Sequence, residues 1–558
     1  MTEDRHGTAG TNTAPQDAAQ TPQQQQSHQS PQSADARHNQ QPMQPRPLPG
    51  QVFIRPGIDD RPDYEKTLTP EAKAALRRLA VQQKPRIPEA SNERPETQAA
   101  RINAGSGAPL TAAAHLDAAV PNLESAFLDL RDPMTAPDGT KPTKSQVRRL
   151  TAGFALGSLL FSVPMAALNV VLVPQFVSRL AGVNRVTDLA WISAAGIVLT
   201  FFMNAWVSVG SDHTYCPLGR RTPWIIGGTA LAAIAVAIFS ACDYLQVAAA
   251  FWLIAQIGYA MVAMALSAAF GERVPDKFRD RADSWRGKGL AFGQLLGIVF
   301  AVAATPHADA SGWNGTTRLA IILCSLWFIV AAVAALLVAP REPSSSYLPR
   351  EKVKNGDFFS QYRPPKGAPK FFVAFAARMF AVAATTGIAV YQWYLVRYGL
   401  GDSAKTLGLS GAAWTIVAMA LAAFVGSFVA ALMLGRIARL FDDSRIPAVI
   451  ACVLFIVAAA LPLLPMDRTL SLSLYSLIAG FAYVVYDGTS QELGLATLPD
   501  VRSVGRSLAA FSLTNTFGAL LGVVVCAVVI VMTGAYLPIF AVAMACMLLA
   551  GVLTLPLK

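Results

Sequence analysis

Charged residues are scarce in this chain of 558 residues. They make up 15% of it, whereas apolar residues make up 53%. A soluble protein carries about 25% charged residues, so this composition excludes an ordinary soluble domain. The two kinds of residue are also segregated, because residues 1–148 are polar and nearly everything after Leu150 is apolar. The sequence therefore predicts a polar tail joined to a membrane body.

Cysteine pairs and catalytic motifs are missing as well. The six cysteines form no C-x-x-C pair, and five of them lie in apolar runs, so we predict neither disulfides nor a metal site. There is no nucleophile motif and no Walker-type phosphate loop, so we expect neither an enzyme nor an ATP-driven pump, and no cofactor. The first 20 residues lack the apolar core of a signal peptide, which predicts a cytoplasmic tail.

The apolar part of the chain divides into runs of the length that crosses a bilayer, about 20 residues. Runs this long and continuous predict helices, since a barrel strand needs only about 10 residues. Twelve spans result, at 150–178, 187–209, 224–242, 245–269, 287–305, 317–339, 370–397, 408–435, 446–464, 470–490, 507–533 and 535–556. The predicted fold class is thus an all-α integral membrane protein with twelve transmembrane helices in two pseudo-symmetric six-helix bundles.

Four segments follow from these spans. Residues 1–148 form a disordered tail, since the first 60 are rich in Gln, Pro and Ser and cannot bury a core. Residues 149–339 and 370–558 form the N-terminal and C-terminal bundles. Residues 340–369 form a central loop between them.

Lysine and arginine are unevenly shared between the two sides of these spans. The side opposite the tail receives only Arg179, Arg185, Arg318, Arg397, Lys405 and Arg468. By the positive-inside rule, both termini and the central loop face the cytoplasm of a multi-pass protein, which we expect in the plasma membrane. The net charge of +11 then needs no nucleic acid as a partner.

The two halves repeat each other at an offset of 225 residues. Gly210 matches Gly435, and "FGQLLG" at 292–297 matches "FGALLG" at 517–522. "VPD" at 274–276 matches "LPD" at 498–500, one residue short of that offset. Such a repeat of six helices is typical of transporters. Small residues every four positions, such as Gly289, Gly293 and Gly297, predict a close helix–helix seam.

The polar stretch "GSDHTYCPLGRR" at 210–221 separates two apolar runs. Arginine pairs with carboxylates and with helix carbonyl ends, so we interpret this loop and its counterpart after helix 8 as a cytoplasmic gate. Its residues are Gly210, Asp212, Gly219, Arg220, Arg221, Arg436, Arg439 and Asp442. The alternative is a simple positive-inside anchor, which does not require Asp212.

"G-S-D…G-R-R-T-P-W-I" resembles the helix 2–3 signature of the major facilitator superfamily. The segments "YQWYLVRYG" and "YDGTSQELGLATLPD" are similar to its branch of sucrose and other glycoside:cation symporters. The resemblance covers residues 150–556, essentially the whole membrane body. One departure is His213, since the family usually has a basic residue directly after the Asp. This departure predicts that the cytoplasmic gate is weaker or sensitive to pH.

The resemblance implies that helices 1, 4, 7 and 10 line a central cavity. Amides and aromatic rings on these helices suit a neutral polyhydroxylated ligand. The candidate substrate-binding residues are Asn169, Gln256, Tyr259, Tyr391, Gln392, Trp393, Tyr483 and Tyr486. Each has a structural alternative, as polar contacts between helices or as an aromatic belt at the membrane interface.

Asp487 and Arg378 are ionisable residues inside predicted membrane helices, where a charge is expensive. We expect them to approach each other, with Asp487 as the proton carrier of a coupled transporter. The alternative is that Asp487 only neutralises the inner mouth of helix 10.

These observations predict a monomeric secondary transporter that imports a small sugar or glycoside, such as a disaccharide, with a proton or sodium ion. One alternative is a drug/proton efflux antiporter of the same superfamily. Another is a non-transporting membrane sensor that signals through its N-terminal tail. The expected partners are therefore a small-molecule substrate, a coupling ion and the lipid bilayer.

Overall fold

The computed structural model describes residues 140–305, 315–346, 367–399, 402–441, 443–497 and 504–557, together with residues 134, 136, 362, 364 and 365. Most of the predicted tail lies outside these residues. The first helix, α1, has an α-helical part Lys144–Ala166, a π-helical part Ala167–Leu172 and a second α-helical part Val173–Ala181. The other helices are α2 Arg185–Asp212, α3 Thr222–Ala241, α4 Leu245–Arg273, α5 Asp276–Ala304, α6 Gly315–Val338, α7 Pro369–Tyr398, α8 Asp402–Leu440, α9 Arg445–Ala460, α10 Arg468–Ala496, α11 Val504–Thr533 and α12 Pro538–Thr554.

The length and composition of these helices fit a membrane. Ten stretches are long and apolar enough to cross it, the first of which contains both α1 and α2, and α12 is a shorter apolar helix. Large apolar side chains such as Leu337 (72% exposed) also face outward, which a water-soluble surface avoids at this density. The predicted all-helical membrane fold is thus confirmed for the described part of the chain.

The helix α1 begins inside the segment predicted as tail. Thr143 accepts a hydrogen bond from the backbone N–H of Gln146, and the Gln146 side chain accepts one from the backbone N–H of Thr143. This capping box satisfies backbone donors at the helix start and moves the start to Lys144, five residues before the predicted bundle. Hydropathy alone does not reveal this polar first turn.

The packing of the helices repeats after six elements. In the N-terminal half, α1 packs on α5 and α6, α4 on α2 and α3, and α3 on α6. In the C-terminal half, α7 packs on α11 and α12, α10 on α8 and α9, and α9 on α12. The contacts between the halves obey the same rule, since α2 packs on α11 and α5 on α8. The sequence repeat therefore has a counterpart in a pseudo-twofold arrangement of helices.

Glycines bring the helices of two equivalent pairs close together. A β-carbon on Gly293 of α5 would overlap the backbone of Leu159 on α1, and one on Gly518 of α11 would meet the Met379 carbonyl on α7. The predicted seam of small residues is thus confirmed, and it forms the contact within each bundle.

The two ends of the helices differ in charge. We call the side where α2 ends and α3 begins the basic side, because Arg220, Arg221, Lys277 and Arg436 lie there. The other side, where α1 ends and α2 begins, is called the opposite side.

Candidate functional site

A cavity of about 150 Å³ lies between the two halves. Residues of α1, α5, α7, α8 and α10 line it, and the lining is mostly apolar. Five lining residues carry amide or hydroxyl groups, namely Asn169, Gln294, Gln392, Ser427 and Ser476. None of the lining residues in the described part of the chain is ionisable. The cavity therefore offers hydrogen bonds and apolar contacts but no charge.

The shape of α1 directs Asn169 into this cavity. Pro164 cannot donate a backbone hydrogen bond, and three residues later the α-helix widens into the π-helical part Ala167–Leu172. A π-helical turn rotates the residues that follow and is frequent at functional sites. Asn169 lies in this turn, and its Nδ2 donates to the Met165 carbonyl at 3.0 Å. The side-chain oxygen of Asn169 is thereby oriented away from its own helix.

A second amide joins Asn169 from α4. The Nε2 of Gln256 donates to Oδ1 of Asn169 at 3.4 Å, so these two predicted residues are in contact. Gln392 of α7 lines the cavity from the C-terminal half and approaches the sulfur of Met419 at 4.0 Å. Gln294 of α5 is a lining residue that the sequence argument missed, because that argument considered only helices 1, 4, 7 and 10.

The predicted aromatic residues lie elsewhere. Tyr259 lines a separate, small cavity within the N-terminal half. Tyr391 is fully buried and donates to the Val523 carbonyl of α11 at 3.1 Å, and Trp393 is 5% exposed. Tyr483 and Tyr486 are also buried. None of these five rings is among the residues that line the central cavity in the described structure.

Arg378 and Asp487 form a buried ion pair in the C-terminal half. Their side chains are 3% and 7% exposed, and the Arg378 Nη2 to Asp487 Oδ1 distance is 2.7 Å. The other Asp487 oxygen accepts from Gln491 Nε2 at 3.3 Å. The guanidinium also donates to Ser490 Oγ at 2.8 Å and to Asn515 Oδ1 at 3.5 Å. The pair thus connects α7, α10 and α11.

This ion pair does not touch the central cavity. Arg378 precedes Gln392 by fourteen residues on α7, which corresponds to about 21 Å along a helix. Asp487 follows Ser476 by eleven residues on α10, or about 16 Å. Asp487 is therefore not in direct contact with the residues that line the cavity.

On the basic side, Arg221 is the centre of a second cluster. It is 3% exposed and binds Asp212, Ser211 and Glu272. Its Nε donates to Glu272 Oε2 at 3.2 Å. Burial disfavours its charge, but the hydrogen bonds and charges of Glu272 and Asp212 outweigh burial, so the pKa of Arg221 lies above its usual value. The cluster joins α2, α4 and the start of α3.

Glu342 caps α3 from the segment that follows α6. Its carboxylate accepts hydrogen bonds from the backbone N–H groups of Arg220, Arg221 and Thr222, at 2.9 to 3.1 Å. An acidic group at a helix N-terminus is favourable because it meets unsatisfied donors and the positive end of the helix dipole. Gly219 has φ = +98°, and a β-carbon there would overlap Glu342.

The remaining residues of the predicted gate have different positions. Gly210 packs under the ring of Trp224, where a β-carbon would lie 3.0 Å from the ring. Arg436 and Arg439 are exposed on α8, and Asp442 lies outside the described residues. His213 Nδ1 is 2.8 Å from the Val209 carbonyl of its own helix. Sequence reasoning missed Glu272 and Glu342, although each is an acid at the end of an apolar run.

Comparison with known proteins identifies the fold. A sequence model of the Major Facilitator Superfamily matches residues 154–523. A search of curated proteins finds no significant match.

Several solved structures are similar to this chain. One is a bacterial homologue of the human lysosomal transporter Spinster, in an inward-facing and unoccupied conformation. It has 16% identity and a TM-score of 0.50, over 75% of this chain and 96% of that one. The nucleoside transporter NupG has 12% identity and a TM-score of 0.55, over 73% and 98%. The E. coli fucose:proton symporter FucP has 15% identity and a TM-score of 0.48, over 74% and 99%. At these identities, the similarity to the first two structures indicates the fold alone.

Proposed function

The chain belongs to the Major Facilitator Superfamily of secondary transporters, and on that premise we propose that it moves a small neutral polar solute, a sugar or glycoside, by proton-coupled symport. Transport proceeds by alternating access, in which the two bundles rock about the central cavity. The solute binds between the bundles, and Asp487 carries the coupled proton.

The chemistry of the cavity is the observation that carries this proposal. Amides offer a donor and an acceptor together, as the hydroxyl groups of a sugar require. Asn169 and Gln392 supply them from the two halves, while Leu295 and Phe424 supply apolar surface for the faces of a sugar ring. A charged solute would leave its charge unpaired here, which is unfavourable in a site of low polarity.

The size of the cavity restricts the solute. Sites for drug-sized ligands have about 300–1,000 Å³, and this cavity has about 150 Å³. In this conformation it accepts a small solute, and a disaccharide such as sucrose requires the halves to separate further.

Coupling through Asp487 is supported by the buried ion pair. A carboxylate in this position must be paired or protonated. When Asp487 binds a proton, Arg378 keeps Ser490 of α10 and Asn515 of α11 as hydrogen-bond acceptors. The guanidinium therefore stays bound to these two helices while the net charge of the site changes. Sodium is the alternative coupling ion.

The arrangement in the cell is part of the same proposal. The positive-inside rule supports a cytoplasmic location for the basic side, and with it for both termini and the tail of residues 1–148. The protein then acts as a monomer in the plasma membrane. A non-transporting sensor is distinguished by deletion of residues 1–140, which would abolish signalling and leave any uptake intact.

A drug/proton efflux antiporter is the second candidate. The apolar share of the cavity lining, with Met165, Met419 and Phe424, favours it. Methionine side chains adapt to solutes of different shape. Proton movement driven by an amphipathic cation would distinguish this function from sugar transport, because a site specific for neutral sugars should not bind a cation.

The test uses purified protein in liposomes that contain a trapped pH dye. Sucrose, maltose, other disaccharides and hexoses are added in turn, followed by amphipathic cations. We expect one sugar to drive proton movement in the native protein and not in Asp487→Asn. Asp443→Asn is the matched control, because Asp443 pairs with Arg445 at the surface of the same half. If only amphipathic cations move protons, or if no sugar moves protons through folded protein, the proposal of proton-coupled sugar symport is wrong.

A further inference from the structure

Arg185 contacts the other half of the protein at the opposite side. Its Nε donates to the hydroxyl of Tyr536 at 3.2 Å, and its guanidinium lies 3.9 Å from the ring centroid of Tyr398. Arg185 is the first residue of α2, whereas Tyr398 ends α7 and Tyr536 lies between α11 and α12. One arginine of the N-terminal half is thus held by two tyrosines of the C-terminal half.

Two tight turns place these side chains. Gly182 follows α1 with φ = +54°, and Gly534 follows α11 with φ = +66°. Only glycine adopts such angles without strain, so each turn ends its helix sharply. The turns come at the opposite-side ends of α2 and α11, which pack against each other across the two halves. The contact therefore lies at the end of the interface that these two helices form.

A third tyrosine makes a parallel contact between the halves. The hydroxyl of Tyr394, which is fully buried, donates to the Pro174 carbonyl of α1 at 3.0 Å. The rings of Tyr394 and Tyr398 have centroids 5.9 Å apart, and those of Tyr398 and Tyr536 are stacked with centroids 6.4 Å apart. The three tyrosines are therefore one cluster that meets the N-terminal half at two points.

This cluster lies next to the cavity. Tyr398 follows Gln392 by six residues on α7, which is about 9 Å along the helix. On the basic side, by contrast, the pairs of Arg221 with Asp212 and of Arg378 with Asp487 each join helices of a single half. The described contacts of the tyrosine cluster differ from these pairs because they join the two halves to each other.

We propose that Arg185, Tyr394, Tyr398 and Tyr536 form the gate that closes the central cavity on the opposite side. The gate opens when the guanidinium of Arg185 leaves the two tyrosines and α2 separates from α11. It contains a cation–π contact and hydrogen bonds, and the described contacts of Arg185 with the other half are made with tyrosine side chains. Arg185 is accordingly a gate residue and does not belong to the substrate site.

The test measures the distance between the two halves directly. Spin labels are placed at Val183→Cys and Met532→Cys, which are 95% and 82% exposed on the N-terminal and C-terminal sides of the gate. Protein without these two cysteines gives the background from native thiols. The labelled protein is studied in lipid nanodiscs without solute, so the result depends on neither the substrate nor the coupling ion.

We expect the native protein to show mainly a short distance. Arg185→Ala and Tyr536→Phe should each raise the ratio of long to short distances by roughly fivefold or more, because a charged hydrogen bond or a cation–π contact is lost. Tyr536→Phe removes one hydroxyl and keeps the ring, so the protein should fold.

Arg318→Ala is the matched control. Arg318 also lies on the opposite side, but it pairs with Asp243 of its own half at 2.8 Å. The distances in this variant should equal those of the native protein. Unchanged distances in Arg185→Ala or Tyr536→Phe, or an equal change in Arg318→Ala, would overturn the gate and leave the proposed function untouched.

Discussion

Neutralising one member of the buried pair Arg378–Asp487 should destabilise the protein more than neutralising both. Removal of one partner leaves an uncompensated buried charge, which costs about 3–5 kcal/mol. Asp487→Asn leaves the guanidinium with neutral acceptors on Ser490 and Asn515. Arg378→Gln removes the cation from the carboxylate, which keeps the described hydrogen bond from Gln491. In the double variant no buried charge remains, so its cost should not exceed that of either single variant.

The expected effect is large enough to measure by heating in detergent. One kcal/mol shifts the melting temperature by about 2–4 °C for a unit of about 150–250 residues, the size of one bundle, so each single variant should melt roughly 6 °C or more below the native protein. Size-exclusion chromatography of the protein that remains folded after heating reports this temperature. Asp443→Asn is the surface control and should change stability by about 1 kcal/mol or less.

The pH dependence separates the two single variants. In Arg378→Gln, the lone carboxylate of Asp487 can bind a proton, so stability should be recovered as the pH falls and lost as the pH rises. Asp487→Asn removes the carboxylate that could bind a proton, so no such recovery is expected in this variant. If the double variant costs the sum of the two single variants, or if both single variants respond equally to pH, the ion pair does not have the energetic role described here.

Three further predictions concern the seam, the helix cap and the cavity. Gly293→Val should lower the melting temperature, since a side chain would strike the α1 backbone, whereas Gly227→Val should not, because a β-carbon there meets only the end of Met261 at 4.0 Å. Glu342→Gln should cost about 1 kcal/mol through loss of the charged cap of α3, and added salt should reduce the difference. Gln392→Leu should weaken sugar-driven proton movement in liposomes at least tenfold, about 1.4 kcal/mol, without a change in melting temperature.

Each of these predictions has an outcome that contradicts it. Equal melting temperatures for the two glycine variants would mean that the α1–α5 seam is not tightly packed. A salt-independent effect of Glu342→Gln would point to a lost contact instead of the helix dipole. Trp393→Phe is the control for Gln392, because Trp393 does not line the cavity, and equal loss of transport in both variants would mean that α7 is merely disturbed.

The membrane body could be read from the sequence because hydropathy, length and repetition are local properties. A run of about 20 apolar residues must form its backbone hydrogen bonds within itself, which requires a helix in a bilayer. The glycine stripe of α5 and its counterpart on α11 predicted seams for the same reason, since small residues at intervals of four share one face. The approach of Arg378 to Asp487 was also expected, because a charge in a membrane helix needs a partner.

Only the tertiary structure decided which side chains of a helix point into the cavity. Tyr391, Gln392 and Trp393 are adjacent in the sequence, but each step turns the helix by about 100°, and only Gln392 lines the cavity. The π-helical turn that carries Asn169 adds a further rotation that hydropathy does not reveal. Of the four helices that the resemblance implied, α1, α7 and α10 line the cavity of the described structure and α4 does not, whereas α5 and α8 also line it. The sequence therefore predicted neither the full set of lining helices nor which of their side chains face the cavity.

Partners that are distant in the sequence were beyond the reach of local patterns. Glu342 and the start of α3 are about 120 residues apart, and Arg185 and Tyr536 are 351 apart. Which of these side chains meet depends on how the helices are arranged and how their ends are turned. The sequence by itself thus determined the helices, their repetition and the polarity of their ends, whereas only the tertiary structure decided which ends touch, because contacts between distant segments arise from packing.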